Sequence, residues 1–69
     1  MPRSVRKVIF ARVHNEHHLC YYGIELIADI KRCEEGYWNI EFVEGGEASG
    51  FITVKGFQRY LEQWVRRNK

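Results

Sequence analysis

The chain is expected to fold as a single α+β domain: a three- to four-stranded antiparallel β-meander packed by one C-terminal amphipathic α-helix. Three observations lead there. Between Tyr22 and Phe42 apolar and polar residues alternate with period two. From Phe57 to Val65 the apolar spacing changes to that of a helix. The chain has 69 residues, of which 45% are hydrophobic and 14% aromatic; it is too apolar for a disordered segment and too short for two cores.

Val5–Val13 is rich in β-branched and apolar residues and reads as the first strand. The polar stretch His14-Asn15-Glu16-His17-His18 reads as a connection, with strand character resuming near Leu19. Tyr22, Ile24, Leu26, Ala28 and Ile30 share one parity, with Glu25, Asp29 and Lys31 on the other. Glu34-Glu35-Gly36 interrupts the alternation, which then resumes in Trp38, Ile40 and Phe42. A three-residue loop with Gly36 in the left-handed region sets Cys33 against Tyr37, Ile30 against Ile40 and Ala28 against Phe42. A two-residue loop would oppose Ile30 to Glu41 and mix the faces. The favoured register also opposes Asp29 to Glu41, a like-charge pair that costs stability unless a cation is near.

Glu44–Gly50, with three glycines, reads as a loop or the start of an edge strand, and Phe51-Ile52-Thr53 as a short fourth strand. Thr53 is placed to cap a helix over residues 54–67, whose stripe is Phe57, Tyr60, Leu61, Trp64 and Val65. That stripe is expected to cover the face bearing Leu26, Ile30, Ile40 and Phe42. The other face is left with Ile27, Val43 and Tyr37, and a second copy of the chain is expected to bury it or an edge strand, giving a homodimer.

Charge is laid down in three blocks. Arg3, Arg6, Lys7 and Arg12 meet no acid in the first twelve residues, and Lys55, Arg59, Arg66, Arg67 and Lys69 face only Glu62 in the last fifteen. The middle is acidic, and the formal net charge is +2. Residues 1–4 are expected to form a flexible basic arm. No apolar run reaches the roughly 18–20 residues that span a bilayer, and no signal segment opens the chain, so a cytoplasmic protein without a membrane partner is expected.

Candidate chemistry is sparse. His14, His17, His18 and Cys20 crowd together, but no CxxC or second ligand pair accompanies them, so no metal site is assigned and no cofactor is expected. No Gly-rich phosphate loop or nucleophile–base arrangement is present, so an enzyme is not expected. Over residues 33–67, a three-stranded sheet followed by a helix, with Gly36-Tyr37-Trp38 in a strand and Thr53 opening the helix, resembles the arm-binding domains of tyrosine recombinases. Those domains present basic residues to a groove, whereas Glu41, Glu44 and Glu47 stand in the corresponding strands here and would repel phosphate. No family assignment is made on it.

The functional expectation is a small protein-binding module, an inhibitor, adaptor or regulator acting by surface occlusion, of the sort phage and mobile elements carry. Its partner-binding residues are expected to be Glu25, Ile27, Asp29, Tyr37, Glu41 and Val43, with Glu25, Asp29 and Glu41 on one sheet face. The alternative is nucleic-acid binding through Arg3, Arg6, Lys7, Arg12, Arg59, Arg66 and Arg67. The acidic pair is expected to be relieved by strand one, bringing Arg6, Lys7 or Arg12 alongside, or else to be held for a basic partner.

Overall fold

A computed structural model describes residues 7–68; the expected basic arm, including Arg3, lies outside them, as do Val5 and Arg6. Five strands form one antiparallel sheet in sequence order, β1 (Val8–His14), β2 (His17–Tyr22), β3 (Glu25–Arg32), β4 (Trp38–Phe42) and β5 (Glu47–Phe51), and α1 (Val54–Asn68) closes the chain. The α+β class is as expected, with five strands rather than three or four. No helix among the described residues is long and apolar enough to cross a membrane.

The extra strand comes from a turn inside the long alternating stretch. Gly23 adopts φ 68° and Tyr22 pairs with Glu25, so Gly23-Ile24 form a two-residue hairpin turn with glycine first, where a positive φ is needed. Ile24, expected on the core face, is at the tip and 99% exposed. Histidines 17 and 18 belong to β2 rather than to a loop, because the β1–β2 turn is only Asn15-Glu16.

A β-bulge changes the parity of β3. Cys20 pairs with Ala28 and Tyr21 with Leu26, which leaves Ile27 without a partner on β2. Ile27, expected on the open face, is therefore buried at 3% exposure, while Leu26 turns to the open face at 37%. The same shift separates Glu25 from Asp29: Glu25 is paired with Tyr22, which packs against the core, and so lies on the helix side.

The β3–β4 hairpin has the expected register, with Ala28 opposite Phe42, Asp29 opposite Glu41 and Ile30 opposite Ile40. Cys33 N–H donates to Tyr37 O at 2.9 Å, and Gly36 takes φ 97°. The N-cap is also as expected, Gly56 N–H donating to Thr53 Oγ1 at 3.0 Å. Phe57, Leu61 and Val65 seal the helix onto Cys20, Ala28, Ile30, Trp38, Ile40 and Phe42, the residues that face it from the middle strands. Trp64 stacks on Phe42 with ring centroids 4.6 Å apart. Among the described residues one helix covers one face, and nothing covers the other.

Candidate functional site

Three carboxylates run in a row across the open face. Asp29 of β3 is opposite Glu41 of β4, and Glu41 is in turn opposite Glu47 of β5. The backbone phase fixes how close they stand. Val43 N–H donates to Ile27 O and Phe42 N–H to Gly46 O, so odd residues of β4 bond to β3 and even ones to β5. Glu41 and Glu47 thus form a non-hydrogen-bonded pair, the arrangement in which facing side chains approach most closely. Two like-charge pairs in succession are a cost that surface residues without a task would avoid.

Among the described residues the relief expected from strand one does not occur, and Arg6 lies outside them. β2 lies between β1 and β3, so Lys7 and Arg12 are two strands from Asp29 and three from Glu41. Asp29 is instead met by His17, whose Nε2–H donates to Asp29 Oδ1 at 2.6 Å. Lys31 is a diagonal neighbour of Glu41 on the same face, opposite Asn39. Among the described residues no ion pair forms to Glu41 or Glu47.

An open groove of about 490 Å³ begins at this row, lined by Asp29, Glu41 and Glu47 on one side and by Leu26 and Val43 on the other, with Gly45-Gly46 at its end. Val43 is 61% exposed. Of the expected partner-binding residues, the structure brings together Asp29, Glu41 and Val43. Tyr37 sits at the opposite end of β4, Glu25 on the other face, and Ile27 in the core. Leu26 and Glu47 belong to the groove but were not expected there. Glu47 was legible in outline, as an acid at an edge strand; Leu26 was hidden by the bulge.

The histidine–cysteine crowd is split by strand alternation. His17 faces the open side, with the His14 ring edge-on at 5.6 Å. His18 points under the helix between Trp38 (5.0 Å) and Phe57 (5.5 Å). Cys20 is in the core, and burial, followed by the charge of Glu62, pushes its thiol up to about 12. Among the described residues no three potential ligands converge on a metal position. Cys33 lies at the β3–β4 turn, where desolvation is outweighed by hydrogen bonds from the Tyr37, Glu35 and Gly36 backbone and the Tyr37 hydroxyl, which lower its pKa.

His18 makes folding sensitive to acid. Burial, then the charges of Arg12, His17 and His14, hold its pKa below the ordinary value of 6.5. The unfolded chain therefore takes up this proton more readily than the folded one. Stability from this residue is complete above about pH 6.5 and falls as pH drops from there to the lower folded value. Thermal melts from pH 8 to pH 5 should show Tm falling below about pH 6.5, with a shallower fall in His18→Phe, which keeps a ring between Trp38 and Phe57. Equal slopes in both proteins would assign the acid sensitivity elsewhere.

Of the basic residues of the alternative reading, Arg3 and Arg6 lie outside the described residues, and Lys7, just before β1, has the parity of Ile9 rather than that of Arg12. Arg59, Arg66 and Arg67 are exposed on α1, and Arg12 shares the helix side through its pairing with His18. No family model, curated protein or solved structure matches the chain.

Proposed function

We propose that the chain is a non-enzymatic protein-binding module whose open sheet face receives a basic segment of another protein and acts by occluding it. The observation that carries this reading is the row Asp29–Glu41–Glu47 beside the apolar wall of Leu26 and Val43. Among the described residues strand one offers that row no cation, and a segment alternating Lys or Arg with apolar residues would satisfy both sides of the groove. Complementary charge of this kind sets orientation and association rate. The segregation of Arg12, Arg59, Arg66 and Arg67 to the helix side supports nucleic-acid binding there as the second reading.

The double variant Glu41→Gln/Glu47→Gln separates the two. Removing a directly opposed like-charge pair stabilises by up to about 1 kcal/mol, which for a domain of this length raises Tm by up to about 4–8 °C. Anisotropy titrations with synthetic Lys/Arg-and-Leu peptides should show binding that weakens with salt, and the variant should lose about tenfold, on the order of 1.4 kcal/mol. A control, Arg59→Gln/Arg66→Gln, should bind these peptides as the wild type does. If the wild type ignores the peptides but binds duplex DNA or heparin through Arg59 and Arg66, the groove reading fails and the nucleic-acid reading replaces it.

A further inference from the structure

The two edges of the sheet are built differently. At β5 the ladder is broken: Trp38 pairs with Phe51 and Asn39 with Ser49, so Gly50, at φ 93°, is bulged out of register, and Glu47 places a charge on the short strand. Such devices keep an edge from pairing with another chain. β1 carries one charge, Arg12, with Lys7 beside it, but has no bulge before that residue. It runs seven residues without proline or glycine, its register with β2 is regular from Val8 to Arg12, and the irregularity comes only after Arg12. Ile9 and Val13 on it are 47% and 52% exposed.

The phase of β1 is set by one bond. Gly23 N–H donates to Lys7 O at 2.9 Å, so Lys7, Ile9 and Ala11 turn their backbone groups toward β2. Val8, Phe10 and Arg12 turn theirs outward. Among the described residues β1 has a neighbour on one side only.

We infer that β1 is a self-pairing edge: two copies of the chain join antiparallel through it, about a two-fold axis at Phe10, to make one continuous sheet. Symmetry restricts antiparallel self-pairing to a few registers, and this one alone uses the outward N–H and C=O groups of Val8, Phe10 and Arg12 together. It sets Val8 against Arg12 of the second copy, Phe10 against its own mate, and Ile9 against Ala11. The basic residues Lys7 and Arg12 thus meet apolar ones rather than each other, and the exposed Ile9 gains the space left by an alanine. Because the axis is perpendicular to the sheet, both acidic grooves open on the same side of the dimer. The inference does not depend on what those grooves bind.

Residue-resolved amide exchange joined to sedimentation tests it on the wild-type chain. At about 100 µM the protein should sediment as a dimer, with the Val8, Phe10 and Arg12 amides exchanging on the order of tenfold or more slower than after dilution to monomer. The Ile9 and Ala11 amides, bonded to β2, should be slow in both states. Arg12→Pro removes an outward N–H together with the arginine side chain, leaves the bonds to β2 in place and should sediment as a monomer with an unchanged circular dichroism spectrum. A wild-type monomer at that concentration overturns the inference, whether the outward amides are fast or slow. So does a dimer in which those amides exchange freely, because association then uses another surface. Should Arg12→Pro fail to fold, the wild-type exchange pattern decides alone.

Discussion

Leu61→Asp is expected to unfold the chain or destabilise it severely. Leu61 is fully buried at the middle of the apolar stripe with which α1 covers the sheet. An aspartate there must either bury an unpaired charge or take up a proton, and it also removes the leucine's packing. Such changes cost about 3–5 kcal/mol. A chain of this length has a total stability of roughly 3–10 kcal/mol, at about 0.05–0.15 kcal/mol per residue, so the loss takes a large share or all of it. Far-UV circular dichroism and a thermal melt read the outcome, and a near-wild-type melt would mean that the stripe is not core. Trp64→Ala is the graded companion. Trp64 stacks on Phe42 but is only half-buried, so it should cost about 2 kcal/mol and lower Tm without abolishing folding.

Phe57→Ala should be nearly as damaging, for a different reason. The Phe57 ring is the hub of an aromatic cluster, with centroids 5.1 Å from Trp38, 5.5 Å from His18 and 6.2 Å from Phe10. It is fully buried, and emptying such a site costs about 3–5 kcal/mol. The cavity would also admit water beside His18. In whatever folded population survives at low temperature, the His18 pKa followed by NMR should rise back toward 6.5, because desolvation is the main cause that lowers it. Loss of stability with an unmoved His18 pKa would show that Phe57 does not keep that ring dry.

The sequence was most informative where a local rule and a long-range constraint agreed. Residues 33–37 had a turn glycine and one register that kept both faces intact, so Asp29 could be placed against Glu41 from the sequence alone. Residues 53–65 had a cap and a complete stripe. It was least informative where one residue resets a phase. Nothing in the composition of Glu25-Leu26-Ile27-Ala28 marks a bulge, yet the bulge sends Ile27 inward, Leu26 outward and Glu25 to the other face. Gly23 was a visible turn signal, and the uninterrupted alternation around it concealed its role. The candidate site was therefore half legible: its β3–β4 acids and Val43 followed from the hairpin, while Leu26 in the apolar wall and the His17 contact depended on the turn and the bulge.

Among the described residues the acidic row on the open sheet and the arginines on the helix side outweigh Lys31 and Glu25, which stand on the opposite faces, so the two faces carry opposite charge and the molecule acts as an oriented dipole. Near another charged macromolecule it experiences a torque before it experiences contact, out to about a Debye length, roughly 10 Å at 0.1 M salt. A basic surface turns the acidic face toward itself, and a polyanion turns the helix toward itself. The same chain thus presents different residues to different approaching bodies without any change of conformation. Added salt should abolish this steering first, as a fall in association rate, while dissociation, governed by the short-range fit, stays nearly constant.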